Sequence, residues 1–366
     1  MAEAASSASE LCMGKPIIMT PVKIGIIGTG AIAAKHAQAW RNIGCSIVAC
    51  TNKTEAKGRE FARCFDAVFL PDGEAVCRHP EVELVDVCTF PDYRLEPVRI
   101  CAELGKPVQL QKPMAINLDD AYAIAVLAGQ AGITVGVVSQ HRFDDASRFL
   151  KRAIEEGRLG TILEADFYVK WYRPQEYYAR AVKGSWATEG GGALINQAIH
   201  QVDLVGWLAG PIQEVYANWR LGVMHRIESE DLINAVVRFE NGALGVMQAS
   251  TALWPGYPER IEIHGSSGWA VITGERLTKW DVRGDTGNVT SDIAVAVAEG
   301  ASGASDPMAI SLEPFERQFA DLLSAHREGR PPLVGIPEGT AALAVVEAAY
   351  ESCRSGQPVK PRYPGQ

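Results

Sequence analysis

Long apolar stretches are missing from this sequence. It has no run of about 18 consecutive apolar residues, which is the length that a membrane-spanning helix requires. The start of the chain also lacks a secretion signal, because Glu3 and Glu10 stand where basic residues are needed. We therefore expect no membrane partner, and we interpret residues 1–21 as a disordered leader of a cytoplasmic protein.

An excess of basic residues is missing as well. The chain has 35 Lys and Arg against 44 Asp and Glu, a formal net charge of −9. Proteins bind nucleic-acid phosphates through clustered Lys and Arg, so we expect no nucleic-acid partner. None of the eight cysteines belongs to a C-x-x-C pair. We expect free thiols in a reducing cytosol, with neither a disulfide framework nor a metal site.

Two kinds of periodicity divide the 366 residues, a length that fits two domains. From residue 22 to 140, short apolar runs such as Val22–Ile27 alternate with helical stretches such as Ala31–Asn42. This order predicts an α/β, doubly wound parallel sheet. In residues 141–366, apolar and polar residues alternate, as in Leu163–Trp171, which predicts an α+β domain with a mainly antiparallel open sheet. There, Asn241-Gly242 predicts a two-residue hairpin turn with both residues at positive φ.

The first predicted strand leads directly into a glycine-rich turn. Residues 28–33 have the pattern G-x-G-x-x-A between a strand and a helix. Gly28 permits the tight turn, Gly30 lets the backbone approach a pyrophosphate, and the helix N-terminus offers N–H groups to that anion. The pattern therefore predicts a dinucleotide cofactor bound by Gly28, Thr29, Gly30, Ala31 and Ile32.

The end of the second predicted strand bears on the choice between NAD and NADP. NAD-binding folds usually place an acid there to hold the adenosine ribose. This chain has Asn52 and Lys53 instead. Asn52 can still hydrogen-bond a hydroxyl, whereas Lys53 either attracts a 2′-phosphate or lies solvated at the surface. We favour NAD(H), and NADP(H) stays possible.

Two further segments carry candidate catalytic residues. Lys112 follows the run Pro107–Leu110, and ligands of open parallel sheets bind beyond the carboxyl ends of strands. Asn196, His200 and Asp203 follow three glycines at spacings of four and three, so a regular helix places them on one face. The plain alternatives are a solvated lysine and a satisfied core histidine.

In the order and spacing of these motifs the chain resembles the glucose–fructose oxidoreductase, inositol dehydrogenase and rhizopine-catabolism family, often written Gfo/Idh/MocA. The resemblance extends from Val22 to Pro361. It rests on the glycine turn with His36, on Thr89-Phe90-Pro91-Asp92-Tyr93, on Gly105-Lys106-Pro107, on Gln111-Lys112-Pro113, on Gln140-His141-Arg142-Phe143-Asp144, on Trp186 and on the stretch from Asn196 to Asp203.

The resemblance implies an N-terminal Rossmann domain and a hydride transfer in which Lys112 and His200 handle a substrate hydroxyl. Further expected cofactor contacts are Thr89, Pro91, Tyr93, Gln111 and Lys112. Expected substrate contacts are Lys112, Arg142, Tyr172, Trp186, Asn196, Gln197 and His200. Tyr172 and Trp186 belong to an aromatic stretch, whose rings either stack on the C–H faces of a sugar or form core.

Gln111 and Asn196 depart from the family pattern, which has Glu and Asp at these positions. The loss of two carboxylates is expected to lower the pKa of Lys112 and of His200. Asn196 completes the expected catalytic set. In the oxidative direction, His200 takes the hydroxyl proton and Lys112 stabilises the negative charge that develops on the oxygen.

The expected function is therefore hydride transfer between NAD(P) and a hydroxyl carbon of a sugar, glycoside or cyclitol, with C3 favoured by analogy. The alternatives are an NAD-dependent glycosidase or lyase that oxidises C3 transiently, and a sensor that only binds the cofactor. Val236, Val246 and Met247 predict an apolar outer face on the second sheet, and hence a homo-dimer or homo-tetramer.

Overall fold

A computed structural model describes residues 21–180, 182–285 and 311–363. The predicted leader therefore lies outside the described residues, except for its last residue. Within these ranges the structure confirms the predicted pairing of a parallel sheet with a mainly antiparallel one. None of the helices in the described ranges is long and apolar enough to cross a membrane. The seven cysteines in those ranges are all free thiols.

The first sheet is parallel throughout, with the strand order β3-β2-β1-β4-β5-β6. The order reverses beside β1, and ligands of such sheets bind outside the carboxyl ends of the strands at this point. Its strands are β1 Lys23–Ile27, β2 Ser46–Thr51, β3 Val68–Phe69, β4 Leu84–Val87, β5 Val108–Leu110 and β6 Val135–Val137. Its helices are α1 Ala31–Asn42, α2 Glu55–Phe65, α3 Gly73–Arg78, α4 Leu95–Leu104 and α5 Leu118–Ala131.

The second sheet has the order β13-β12-β11-β7-β10-β9-β8, and β7 and β10 are its parallel pair. Its strands are β7 Ile162–Lys170, β8 Ile212–Leu221, β9 Glu230–Phe239, β10 Leu244–Ser250, β11 Arg260–Gly265, β12 Gly268–Thr273 and β13 Arg276–Val282. The helices of this half are α6 Asp145–Glu155, α7 Trp186–Glu189, α8 Ile199–Ala209, α9 Glu313–Glu328 and α10 Ile336–Ser355. Helices α8 and α10 pack on one face of the sheet.

The other face of the second sheet is partly apolar, but one of the three residues predicted to lie on it does not. Val236 is 56% exposed and lies opposite Tyr216 on β8 and Val246 on β10. Met247 is 2% exposed and points into the core. Consecutive strand residues point to opposite faces, so Val246 and Met247 cannot share the outer one.

The hairpin between β9 and β10 is confirmed, but its turn differs from the predicted one. The Gly242 N–H donates to the Phe239 carbonyl at 3.0 Å, and the Phe239 N–H donates to the Ala243 carbonyl at 2.9 Å. Gly242 has a φ of 88°, whereas Asp66 is the single non-glycine residue with positive φ in the described ranges. This is a three-residue loop in which only the glycine is left-handed.

Helix α9 returns to the first half of the chain. Phe319 stacks on Trp40 with ring centroids 4.2 Å apart, and Phe315 and Phe319 both pack on His36. The two halves therefore share core contacts across the predicted boundary at residue 140. The division of the chain into two domains at residue 140 stays a prediction.

Candidate active site

The glycine turn between β1 and α1 has the shape that a dinucleotide needs. Gly28 has a φ of 89°, and a Cβ there would lie 3.1 Å from backbone atoms of Cys88 and Thr89. At Gly30, which precedes α1, a Cβ would meet no atom of the described residues within 4 Å. The first N–H groups of a helix have no partner inside the helix, so this open position fits a pyrophosphate.

Asn52 is held against this turn. Its Nδ2 donates to the Thr29 hydroxyl at 2.6 Å, and its Oδ1 accepts from the Thr54 N–H at 2.9 Å. Lys53 beside it is exposed. The side chain predicted to reach the ribose is thus already oriented by its neighbours.

Arg94 ties together the loops after β4 and β5, and the sequence reasoning missed it. Its buried guanidinium donates to the carbonyls of Thr89 at 2.8 Å and Lys112 at 3.2 Å, and also to that of Gln111. Burial lowers the pKa of Arg94 to about 9. The predicted cofactor residues Thr89, Pro91 and Tyr93 lie on the first of these loops, where the Thr89 hydroxyl donates to the Tyr93 carbonyl at 3.1 Å.

The Gln111 side chain contacts the backbone of Lys112 and not its ammonium. Its Oε1 accepts from the Lys112 N–H at 2.6 Å, and its Nε2 lies 3.1 Å from His36 Nε2. His36 Nδ1 lies 2.9 Å from Asp86, which also accepts from Trp40. Gln111 therefore orients the chain at Lys112, and its contacts reach the lysine only through the backbone.

Lys112 and His200 line one cavity together with Ser139 and Asp203. The Lys112 ammonium donates to the Asn196 carbonyl. Burial, followed by the positive charge of Lys183, lowers the pKa of Lys112 to about 7. Burial, followed by Lys112 and then His141, holds the pKa of His200 well below its usual value. Both directions agree with the sequence-based expectation, but burial and neighbouring cations are the main causes.

The helix that carries His200 begins irregularly, so the predicted regular face is wrong at Asn196. Leu194–Ala198 is π-helical and α8 starts only at Ile199. The Asn196 side chain donates to the Gly191 carbonyl at 3.0 Å. Such wide turns recur at functional sites, and here the wide turn contains the Asn196 carbonyl that accepts from Lys112.

A buried carboxylate fixes the start of this helix. Glu230 accepts from the N–H groups of Gly192 at 2.8 Å and Leu194 at 2.9 Å, and from the Tyr350 hydroxyl at 2.8 Å. Burial raises the pKa of Glu230 to about 7, although these hydrogen bonds oppose the shift. A Cβ on Gly192 would lie 1.8 Å from the Glu230 carbonyl, so only glycine fits there.

The structure places three of the predicted substrate residues in other contacts. Arg142 forms a two-pronged ion pair with Asp203, at 2.6 and 2.8 Å. Trp186 packs on Trp219 and Tyr350 and lines a separate cavity. The ring of Tyr172 packs edge-on against Trp254, 5.0 Å away. In each case the direction of the side chain decides which groups it contacts, and the spacing of residues in the sequence does not give that direction.

Gln197 lies in a polar cluster that the sequence analysis did not single out. Its Nε2 donates to the Tyr177 hydroxyl at 3.3 Å, and Lys183 donates to the same oxygen at 3.1 Å. Lys183 also pairs with buried Glu189 at 3.0 Å. Because Lys183 acts on the pKa of Lys112, this cluster belongs to the same site.

His141 also lies next to His200, and the sequence reasoning gave it no role at the site. Its ring meets that of His200 at 89°, with centroids 5.1 Å apart. His141 lies just beyond β6, as Lys112 lies just beyond β5. The rule that located Lys112, applied to the next strand of the sheet, points to this segment but does not choose between His141 and its neighbour Arg142.

Comparisons with known proteins agree with this geometry. Residues 22–139 match the family described as "Oxidoreductase family, NAD-binding Rossmann fold", so the chain is an NAD-binding oxidoreductase. Residues 147–271 match the GFO/IDH/MocA C-terminal domain. The chain belongs to the GFO/IDH/MocA family.

Similar proteins cover nearly the whole chain. Myo-inositol 2-dehydrogenase of Thermotoga maritima is 27% identical over 93% of this chain and 98% of its own length. D-apiose dehydrogenase of Paraburkholderia graminis is 25% identical over 97% of this chain and 94% of its own. The WlbA dehydrogenase from Bordetella pertussis, solved with NADH and UDP-GlcNAcA, is 26% identical, with a TM-score of 0.84 over 94% of this chain and 99% of that chain.

Proposed function

We propose that this protein oxidises a hydroxyl carbon of a sugar, glycoside or cyclitol, with C3 of a pyranose as the favoured position, and passes the hydride to NAD. The observation that carries the proposal is that Lys112 and His200 lie together beyond the carboxyl ends of the Rossmann strands, close enough for the charge of Lys112 to lower the pKa of His200. The names of the similar dehydrogenases support the substrate class.

In this mechanism the two side chains divide the work on one oxygen. When bound, NAD supplies the hydride acceptor. His200, kept neutral by its lowered pKa, takes the hydroxyl proton. Lys112 hydrogen-bonds the same oxygen and stabilises its developing charge. The carbonyl of Asn196 holds the ammonium of Lys112 in place.

The test is a panel of inositols, free sugars and methyl or aryl glycosides with NAD, followed at the absorbance of NADH. Oxidation of a sugar or cyclitol with stoichiometric NADH supports the proposal. Release of free aglycone without NADH would assign the glycosidase or lyase reaction instead. Binding of NAD with no turnover on any compound would leave only a cofactor-binding sensor.

Cofactor choice is expected to shift with Asn52→Asp. The new carboxylate keeps the acceptor for the Thr54 N–H and faces the ribose, where it repels a 2′-phosphate. The ratio of kcat/KM for NAD over NADP is expected to rise by about tenfold, equal to about 1.4 kcal/mol. Lys53→Ala is the companion variant. A wild-type enzyme that rejects NADP completely would contradict the permissive reading of this position.

The pH profile is expected to shift in Asn196→Asp. A negative charge on this residue, whose backbone carbonyl accepts from the Lys112 ammonium, favours the charged forms of Lys112 and His200, so both pKa values rise. Oxidation needs neutral His200, so the acidic limb of the kcat/KM profile moves to higher pH. Gln130→Glu, exposed on α5 and outside the candidate site, is the control that adds the same charge. An unmoved limb in an active Asn196→Asp enzyme would show that Asn196 does not act on the base.

Assembly is expected to use the outer face of the second sheet. Tyr216, Val236 and Val246 are cross-strand neighbours there, and exposed apolar patches of this kind mark interfaces. We expect light scattering to give a homo-dimer or homo-tetramer, and Val236→Glu to reduce the mass toward the 39.5 kDa monomer. Val126→Glu, equally exposed on α5, should leave the assembly unchanged. A wild-type monomer at micromolar concentration would contradict this expectation.

A further inference from the structure

His141 and two acids form a compact group of atoms that can bind a metal, next to His200. His141 Nδ1 lies 2.7 Å from Asp144 Oδ2, and one ligand atom each of His141, Asp144 and Glu275 lie within 4.8 Å of one another. Ligand atoms that bind one ion at about 2.0–2.2 Å can be at most about 4.4 Å apart. Small side-chain shifts are therefore enough to bring the three atoms onto a single ion.

Two buried carboxylate oxygens in this region have no protein partner. Asp144 is 5% exposed and Glu259 is 7% exposed. Neither Asp144 Oδ1 nor Glu259 Oε2 has a hydrogen-bond partner among the described residues. Asp144 Oδ1 belongs to the carboxylate that faces His141, and the charge of Glu259 acts on both His141 and Glu275. A carboxylate oxygen without a partner is costly to bury, so Asp144 Oδ1 fits a cation.

Negative charge exceeds positive charge in this region. The three acids supply three negative charges, and the imidazole supplies at most one positive charge. Arg317, whose charge also acts on Asp144, is already paired with Asp145 and Glu313. Buried charges need an opposite charge or a metal as partner. A divalent cation that takes the place of the proton on His141 reduces the excess from two negative charges to one.

Gln140 can orient the imidazole as a metal ligand. Its Nε2 lies 3.2 Å from His141 Nε2, and its Oε1 is buried and has no partner within the described part of the chain. Rotation of the carboxamide by about 180° exchanges the two atoms and presents an acceptor to a protonated His141 Nε2. A histidine that binds a metal through one ring nitrogen usually donates a hydrogen bond from the other one. The Nδ1 atom that faces Asp144 is then free of a proton, as a metal ligand must be.

We propose that a divalent transition-metal ion, Mn²⁺ or Zn²⁺, binds at this group, with His141 Nδ1 and the carboxylates of Asp144 and Glu275 as its protein ligands. Imidazole suits transition-metal ions, whereas Ca²⁺ and Mg²⁺ prefer oxygen ligands alone. Water completes the coordination, and Glu259 adds negative charge close by. The ligands come from separate segments of the chain, so no ligand spacing in the sequence indicated a metal site.

The ion joins the two halves of the chain beside the active site. His141 follows β6 of the first sheet, and Glu275 lies between β12 and β13 of the second. The His141 ring meets that of His200 edge-on, with centroids 5.1 Å apart. The ion thus holds this ring in place, and it takes no part in the hydride transfer. His141 and Glu275 are both partly exposed, so an ion can enter from solvent.

The test is metal binding to the full-length protein after EDTA treatment and exchange into metal-free buffer. Electron paramagnetic resonance of Mn²⁺ is expected to show one bound ion per chain, which Zn²⁺ displaces and Mg²⁺ at the same concentration does not. Mn²⁺ and Zn²⁺ should each raise the melting temperature, because they bind the folded state. Glu275→Gln, which keeps the shape of the side chain, should weaken Mn²⁺ binding at least about tenfold. Glu60→Gln, exposed on α2, is the matched control and should bind Mn²⁺ like the wild type.

The contrary outcomes would each overturn the metal site. A wild-type protein that binds neither Mn²⁺ nor Zn²⁺ in stoichiometric amount would exclude it. Binding that Glu275→Gln leaves unchanged would show that the ion lies elsewhere, and displacement by Mg²⁺ as effective as by Zn²⁺ would contradict the imidazole ligand. If Glu275→Gln does not fold, Asp144→Asn decides by the same criterion. These measurements need no substrate, so their failure is distinct from a failure of the proposed dehydrogenase function.

Discussion

His200→Ala and Lys112→Ala are each expected to lower turnover at least about a hundredfold, the usual effect of removing a positioned acid or base. Both side chains lie beyond the Rossmann sheet, and neither belongs to the glycine turn that is predicted to hold NAD. The affinity for NAD and the melting temperature should therefore stay close to those of the wild-type protein. Steady-state kinetics with the best substrate of the panel, together with NADH binding by fluorescence, provide the measurement.

Two further variants sharpen this expectation. Lys112→Met keeps most of the aliphatic stem and removes the ammonium, so it should lose nearly as much activity as Lys112→Ala. Lys279→Ala, an exposed lysine on β13, should have wild-type kinetics. Near-normal turnover in His200→Ala would show that His200 is not the base. Near-normal turnover in both lysine variants would show that Lys112 does not stabilise the developing charge.

Gly192→Ala is expected to damage both stability and activity. The new Cβ would lie 1.8 Å from the Glu230 carbonyl and 2.8 Å from its carbon, which are backbone atoms of β9. Forced overpacking of this kind costs about 1–3 kcal/mol or more. The shift also displaces the π-helical segment, whose Asn196 carbonyl holds Lys112. Misplacement by about 1 Å can cost about a hundredfold in rate.

Thermal unfolding and kcat provide the two readouts for this variant. Gly129→Ala is the control, because a Cβ there meets no described atom within 4 Å, inside helix α5. It should stabilise the protein by up to about 1 kcal/mol, since alanine is the better helix former. A Gly192→Ala enzyme that melts and turns over like the wild type would mean that Glu230 and the glycine run do not position the catalytic helix.

Local patterns predicted the first half of the fold well. The helix Ala31–Asn42 begins and ends where the pattern placed it, because helical periodicity is a short-range signal. The position of α9 could not be predicted in this way. The spacing of Phe315 and Phe319 is typical of an ordinary amphipathic helix. It does not indicate that their rings pack on His36 and Trp40.

The candidate site shows the same difference between features that local patterns predict and features that depend on long-range contacts. The sequence could place Lys112 at the end of a strand and His200 on a helix, because both are local features of the chain. Arg142 and His141 show the limit, since adjacent residues point in different directions and only the fold decides which one contacts His200. The π-helical turn at Leu194–Ala198 was also beyond reach, because buried Glu230, more than thirty residues further along, fixes it.

The return of α9 to the first sheet has a consequence for the order in which the molecule can be made. Domains generally fold as units, and the N-terminal one folds first during synthesis. Here the rings that cover Trp40 and His36 belong to Phe315 and Phe319, so they leave the ribosome long after the first sheet has emerged. The Val137 N–H likewise waits for the Val334 carbonyl, which it meets at 3.0 Å. The nascent cofactor domain therefore keeps an open, aromatic flank until helix α9 has been made, and a fragment that ends at residue 140 would keep it permanently.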